Sequence, residues 1–364
     1  MKNQVNENYM ISGFLVFFLI HSSQVGVGSL TFQRMVFKNA GQDAWISVIL
    51  MGLSLHLIVH MIYKMLGNPA KDLTDLHRII FGNILGNALS LLIVGFFILV
   101  ALSVLRSYIE VIQVWVFPSL KTWELALLFI CVIYYLVSGG FRVVAGFCFF
   151  GVLISTFAMI LFYFPIKHGK LNNLLPMFNH SFQDLLKSAK ASTGLFIGFE
   201  TLLIYFPFIK TPEKTEKWSH YALLFSTLKY LALIVFALLY YSQGLLKQMV
   251  WPALGITKIM ELSFLARFEY LFIFLWLIIY FPSVCLSIWS CTRITKKTTN
   301  LKPRLSLLLI LSILFIAVIN VKDRFMVDAL GKFVSEVGFY FIFAYIPLIF
   351  ILSWIQKSLR KNNV

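Results

Sequence analysis

The chain has 364 residues, of which 60% are hydrophobic and 13% charged, and its mean hydropathy is +0.86. Ordinary soluble domains are about 45–50% apolar and about 25% charged, so this composition excludes a soluble globular protein and a disordered chain. It also excludes an outer-membrane barrel, because barrel strands alternate polar and apolar residues. The formal net charge of +16 comes mostly from basic residues between apolar runs, which favours anionic lipid headgroups over nucleic acid as a partner.

Ten apolar runs are candidate membrane spans, at about 20 residues per crossing, and predict a polytopic helical membrane protein; the runs at 122–138 and 305–320 are short for a full crossing. They lie near residues 10–36, 43–66, 83–114, 122–138, 142–165, 184–208, 219–242, 266–291, 305–320 and 335–355. An even number of crossings puts both termini on one side. The densest basic loop, residues 293–304, follows the eighth run on that same side. The positive-inside rule therefore predicts cytoplasmic N- and C-termini.

Two amphipathic or re-entrant stretches, residues 68–82 and 251–262, follow the second and the seventh run. Their spacing of about half the chain indicates a duplication. We predict a first five-helix repeat over 1–166 and a second over 167–364, which together form one transmembrane domain. Because five is odd, the two repeats have opposite orientations in the membrane. In the second stretch, Pro252 is at a position where a first helical turn accepts proline.

Glycines and polar residues interrupt the first and sixth runs at the same relative place. The first run contains HSSQVGVGS (21–29), the sixth contains STGLFIGFET (192–201), and Gly26 and Gly198 are 172 residues apart. Matched glycine-interrupted spans indicate a transporter-type site. Free amides near Gly26 and Gly28 can bind an anion such as a carboxylate, and carbonyls at the preceding helix end can receive an ammonium group. The alternative is close helix packing through small residues.

These breaks and their surroundings supply the candidate ligand-binding residues. A mainly apolar pocket would be formed by Val25, Val27, Val100, Ile197 and Phe199, which favours a small neutral amino acid over a sugar. The glycines Gly26, Gly28 and Gly198 belong to the same predicted site, as does Ser283, which follows Pro282 in the eighth run.

Two ionisable residues lie within apolar runs and are functional candidates for that reason. Glu200 is either a proton acceptor or a structural acceptor for amides of the unwound turn. Lys229 either pairs with a buried acid or faces a wet cleft. His56 and His60 share a helix face, but the sequence places no third ligand near them, so no metal site is predicted. No nucleotide, cofactor or catalytic motif is present, and we expect no enzymatic activity.

Four segments give the chain a resemblance to a known family. VGVGSLTFQRMVF, IGFETLLIYFP, NNLLPMF and WPALGITKIMELSFLARFEYLFIFLW resemble the B subunits of spore germinant receptors, which have ten helices and belong to the amino acid–polyamine–organocation transporter superfamily. The resemblance implies a LeuT-like 5+5 inverted repeat with helices 1 and 6 broken. It also implies a ligand pocket between helices 1, 3, 6 and 8, at the positions of Gly26, Val100, Ile197 and Ser283.

The same resemblance implies a protein of the spore inner membrane that senses a small nutrient together with an A-type membrane subunit and a C-type lipoprotein subunit. In place of the family's usual L-G-A-G motif, helix 1 has V-G-V-G, which is bulkier between the glycines. Some transporter relatives place a lysine on helix 5 where sodium would otherwise bind, and helix 5 has none in its interior. The alternatives are a proton-coupled amino-acid permease that uses Glu200, and a purely structural subunit.

Overall fold

The computed structural model describes residues 5–26, 28–67, 72–258 and 268–362. In these ranges the chain is helical and contains no strand, apart from one isolated bridge that pairs Ile11 with Ile209. The all-α fold predicted from composition is confirmed.

The first half of the chain supplies seven α-helices. They are α1 (Leu15–Gln24), α2 (Gly28–Ala40), α3 (Ala44–Leu66), α4 (Leu73–Trp115), α5 (Thr122–Ser138), α6 (Phe141–Ala158) and α7 (Tyr163–His168). The predicted amphipathic stretch forms the first part of α4, which bends at Gly82 with a φ of +77°. Glycine is required there because a Cβ atom penalises this conformation. Residues 68–71 of that stretch lie outside the described ranges.

The second half supplies ten more α-helices. They are α8 (Phe182–Ala191), α9 (Thr193–Phe196), α10 (Leu202–Tyr205), α11 (Glu216–Tyr240), α12 (Gln243–Gln248), α13 (Pro252–Thr257), α14 (Phe268–Thr299), α15 (Pro303–Asn320), α16 (Arg324–Tyr340) and α17 (Ile346–Asn362). Pro252 opens α13 as predicted. Short 3₁₀ segments flank α10, and a π-helical segment, Phe341–Tyr345, joins α16 to α17.

Within the described ranges, seven helical stretches are long and apolar enough to cross a membrane. Three shorter apolar helices, Leu15–Gln24, Thr122–Ser138 and Phe199–Phe208, complete the apolar bundle. The first and sixth predicted spans are both interrupted, the first between α1 and α2 and the sixth after α9. The chain is therefore an integral membrane protein with the predicted pair of broken helices.

The two broken helices lie in the centre of the bundle. α1 packs against α6, α11 and α14, and α2 packs against α8 and α13. α4 has its largest contact with α14, and α3 has its largest with α11. Helices from the two halves thus pack against each other, which places the unwound segments at the junction between them. The division into repeats at residue 166 remains a prediction.

Candidate functional site

The first break is the short gap between α1 and α2. Val25 has extended backbone dihedrals, with φ −82° and ψ 99°. The carbonyl of Gly26 accepts hydrogen bonds from the amide and the hydroxyl of Ser29, at 3.1 and 2.9 Å. A Cβ atom added to Gly26 would meet only Val104, at 3.5 Å, so the space beside this glycine is open. Val27 lies outside the described residues.

The second break follows α9 and is tightly packed. Ile197 is extended, and Gly198 has a φ of +124°, a conformation that favours glycine. The Gly198 carbonyl accepts from the amide and the hydroxyl of Thr201, at 3.1 and 2.7 Å. A Cβ atom on Gly198 would lie 2.6 Å from the carbonyl carbon of Ser23. Gly198 is therefore needed for the close approach of the two breaks.

The two breaks share one local design. In each, a hydroxyl residue three positions after the glycine closes the turn, and Ser29 and Thr201 are 172 residues apart, like the glycines. The side chain of Gln24 donates to the carbonyl of Phe196 at 3.3 Å, again across 172 residues. Corresponding helix ends from the two halves thus meet at the centre of the molecule.

A cavity of about 260 Å³ opens beside these breaks. Its walls come from α2, α4, α9, α14 and α16 together with the end of α1. The walls carry more hydroxyl and amide groups than the apolar pocket predicted from the sequence. These groups belong to Ser23, Gln24, Thr31, Ser103, Ser107, Ser283 and Ser335. The cavity can therefore hydrogen-bond a polar ligand.

The structure brings five of the predicted ligand residues to this cavity, which are Gly26, Gly28, Val100, Ile197 and Ser283. The other described ones do not line it. Val25 faces a second, smaller cavity, Gly198 packs on Ser23, and Phe199 is fully buried. An unwound segment turns neighbouring residues to different sides, so adjacency in the sequence does not place Val25 beside Gly26 in the same cavity.

Ser283 lines the cavity and also forms a hydrogen bond within its own helix. Its hydroxyl donates to the carbonyl of Tyr280 at 2.7 Å, the bond expected for a serine that stays with its own backbone. The hydroxyl oxygen remains available as an acceptor for a ligand.

Glu200 is completely buried just after the second break. Its Oε2 accepts from the amide of Gly198 at 2.8 Å, which fits the structural alternative. Its Oε1 has no hydrogen-bond partner among the described residues, and a free carboxyl oxygen is what a proton acceptor needs. The geometry leaves both roles open to this side chain.

Lys229 begins a chain of hydrogen bonds that ends at the first break. Its ammonium group donates to Ser155 Oγ at 2.8 Å and lies 3.2 Å from His21 Nε2. Because an ammonium group can only donate, His21 Nε2 accepts and His21 Nδ1 carries the proton toward Ser226 Oγ, 2.7 Å away. Ser226 then donates to Gln24 Oε1 at 2.6 Å. Through this chain of bonds Lys229 holds Gln24, which lines the cavity. Ser155 lies on α6, which forms residues 142–158 of the fifth predicted run.

The end of the cavity bounded by α2 and α16 is basic. Arg324 is neutralised by Glu110 and Asp328, with contacts of 3.0 and 2.6 Å. Three further cations line the same cavity and form no ion pair within the described ranges: Arg34, Lys38 and Lys332. A basic mouth attracts the carboxylate end of an approaching solute.

The histidines of α3 find partners that the sequence did not indicate. His56 Nδ1 lies 2.8 Å from His220 Nδ1, and His60 Nδ1 lies 2.7 Å from Glu216 Oε1. In the part of the chain that the structure describes, no group of His, Cys, Asp or Glu is arranged to hold a metal ion. We therefore assign these contacts to the packing of α3 on α11.

Comparison with known proteins places the chain among spore germination proteins. The family model described as "Spore germination protein" matches residues 10–327. Spore germination protein GerQB of Bacillus cereus is 34% identical over 358 residues, which cover 98% of this chain and 99% of that protein. Spore germination protein A2 of Bacillus subtilis (strain 168) is 24% identical over 80% of this chain and 81% of its own length.

Among solved structures, the fold resembles that of a Na⁺-coupled sialic acid symporter in a substrate-bound, outward-open state. The TM-score is 0.62 at 10% sequence identity, and the match covers 97% of this chain and 78% of the symporter. At this identity the likeness concerns the fold alone, and it confirms the LeuT-like architecture with broken helices.

Proposed function

The chain belongs to the spore germination protein family, and from this premise we propose that it is the nutrient-sensing subunit of a spore germinant receptor. The cavity beside the two helix breaks carries the proposal. A single small ligand there can contact Gly26 of the first break, Ile197 of the second and Val100 of α4 at once. The affinity of such a ligand therefore depends on the relative positions of these three elements. We therefore propose a receptor role for this protein and no catalytic one.

The ligand that fits best is a small neutral amino acid, which is zwitterionic in water. Its carboxylate suits the amides around Gly26 and Gly28, and the basic mouth formed by Arg34, Lys38 and Lys332 favours its entry. The hydroxyl-rich walls also suit sugars, so the choice between the two classes is made by experiment.

Signalling follows if the ligand has different affinities for two conformations of the bundle. With cytoplasmic termini, the mouth beside α2 and α16 faces away from the cytoplasm, where a nutrient arrives. The receptor then resides in the inner membrane of the spore. It passes the change of conformation to an A-type membrane subunit and a C-type lipoprotein subunit.

The experiment is a nutrient panel on spores that carry this receptor as their only one. The panel contains neutral, acidic and basic amino acids, sugars and nucleosides. Germination by neutral amino acids, with a specificity that shifts in a Val100→Phe variant, is the expected result. A response to sugars alone would overturn the ligand class. If pocket variants of normal abundance keep an unchanged nutrient specificity, the chain acts only as a structural subunit.

A proton-coupled amino-acid permease is the second candidate, and the free Oε1 of the buried Glu200 favours it. The test is uptake of labelled amino acids by the full-length chain reconstituted in vesicles. Accumulation that follows a proton gradient and is lost in Glu200→Gln would establish transport. Ligand binding without accumulation would favour the receptor.

A further inference from the structure

The second break and α16 fit together through two pairs of residues with the same spacing. The amide of Gly194, in α9, donates to Ser335 Oγ of α16 at 3.0 Å. About one turn further along both elements, the side chain of Ile197 lies against Gly338. Residues 197 and 338 are 141 positions apart, as residues 194 and 335 are. The end of α9 and the middle of α16 therefore run side by side in one register.

Each pair joins a glycine to a residue with a side chain. A Cβ atom added to Gly194 would lie 3.2 Å from Cβ and Oγ of Ser335, closer than an ordinary contact. A Cβ atom added to Gly338 would overlap Cδ1 of Ile197 and lie 2.8 Å from its Cγ1. The ethyl group of Ile197 thus occupies the space that any side chain at position 338 would need.

Ile197 also forms part of the wall of the 260 Å³ ligand cavity. Gly338 is buried behind it and does not line the cavity. The atoms that an added Cβ at position 338 would meet belong to the Ile197 side chain and not to backbone, so this side chain can move while α16 keeps its place. Because protein interiors are closely packed, the open space beside Ile197 is the cavity itself, and a displaced ethyl group would enter it.

We propose that Gly338 sets the size of the nutrient that the cavity accepts. It acts without touching the ligand, by receiving the side chain of Ile197 and keeping it out of the ligand's space. Gly338 is thus a positioning residue, and the inference rests on the proposed function because it takes the occupant of the cavity to be the nutrient. The displaced ethyl group has two carbons, which is the difference in size between free alanine and free valine. Gly338→Ala should therefore exclude nutrients by size.

The first test measures germination of spores that carry this receptor as their only one, with glycine, alanine, valine and leucine as the nutrients. For the largest nutrient that acts on the unmodified receptor, Gly338→Ala should raise the half-maximal concentration at least tenfold. For the smallest one the rise should be less than threefold. An equal rise for all nutrients at normal protein abundance, or a larger rise for the smallest, would overturn the proposal.

A double-mutant cycle locates the effect at the Ile197 side chain. In the Ile197→Ala background the ethyl group is absent, so Gly338→Ala should change the same half-maximal concentrations less than twofold. An effect of Gly338→Ala that is equally large in both backgrounds would contradict the proposal.

Gly95→Ala is the matched control for this cycle. Gly95 is also a glycine inside a long helix, a Cβ atom there would meet nothing within 4 Å, and the residue lines neither cavity. This variant should keep the dose response of the unmodified receptor. A size-dependent shift in Gly95→Ala as large as that in Gly338→Ala would show that the effect does not arise at Ile197.

A crystal structure of the full-length Gly338→Ala protein without nutrient tests the positioning role separately from the proposed function. Ile197 should be turned into the cavity, with α16 in place. An unmoved Ile197 beside an α16 that has shifted away from α9 would refute the positioning role. If Ile197 turns as expected but no nutrient of any class acts on the spores, the proposed function fails and the positioning of Ile197 by Gly338 is supported.

Discussion

Replacement of the two break glycines separates a ligand site from a packing contact. Gly26 has a φ outside the left-handed region, and an added Cβ would meet only Val104, at the ordinary contact distance of 3.5 Å. The rest of a leucine side chain would extend into the 260 Å³ cavity. Gly26→Leu should therefore fill the ligand's space and leave the fold largely intact. We expect the half-maximal nutrient concentration to rise at least tenfold, or about 1.4 kcal/mol.

Gly198→Ala is the comparison, and its effect should have the opposite character. The positive φ of 124° costs on the order of 1–3 kcal/mol for a residue with a side chain. The approach of its Cβ to 2.6 Å from the Ser23 carbonyl carbon adds an overpacking cost of about 1–3 kcal/mol. The sum is a large part of a typical folding free energy of about 5–15 kcal/mol. This variant should lose abundance before it loses nutrient response.

The assay is germination rate against nutrient concentration, with immunoblots of this chain from the same spores. Gly26→Ala serves as an intermediate, with a smaller shift than Gly26→Leu at equal abundance. Loss of protein in Gly26→Leu together with normal levels of Gly198→Ala would refute the assignment of the two glycines.

Substitutions at three further positions test the second break, the surrounding fold and the ligand cavity. Glu200→Gln should keep protein abundance, since an amide oxygen can still accept from the amide of Gly198. Glu200→Ala should lower Tm, because the loss of this hydrogen bond costs about 1–3 kcal/mol of stability. Equal Tm values for the two variants would exclude a structural role for the bond. Asp43→Ala should destabilise the chain similarly, because Asp43 accepts from three successive amides, those of residues 178–180; an unchanged Tm would contradict this. Ser283→Ala should leave Tm within about 0.5 kcal/mol and change nutrient affinity; unaltered dose responses would remove Ser283 from the pocket.

The broken helices could be predicted because glycine and polar residues at membrane depth have few explanations other than an unwound segment. The matched spacing of Gly26 and Gly198 identified both breaks, and the turns closed by Ser29 and Thr201 agree with it. What the pattern could not provide is the side of the break that each residue faces. That depends on the dihedral angles of the gap, so Val25 was placed with Gly26 although it lines the second cavity.

Helical periodicity could have found two wall residues that were missed. Ser103 and Ser107 are four residues apart and share a face of α4 with Val100, and all three line the cavity. Small hydroxyl residues are common in membrane helices, however. The face of α4 that they define indicates a cavity only when the helices packed against that face are known.

The start of the tenth span was predicted at 335, but α16 begins at Arg324. Hydropathy missed this turn because it is amphipathic. Arg324 and Asp328 form an ion pair at 2.6 Å, and the amide of Met326 donates to the N-cap side chain of Asp323. The omission hid part of the basic mouth of the cavity, including Lys332. Charged residues lower the hydropathy average of a segment, so a helical turn whose charged side chains line a cavity is left out of the predicted span.

The most direct test of the central claim is equilibrium binding to the purified full-length chain. The ligand is whichever nutrient germinates spores that carry this receptor alone, and the Kd is measured for the unmodified chain and for Gly26→Leu. We predict saturable binding to the unmodified chain, and a rise in Kd of at least tenfold in the variant that matches its shift in germination. An unchanged Kd in a folded Gly26→Leu protein would contradict a nutrient site beside the helix break.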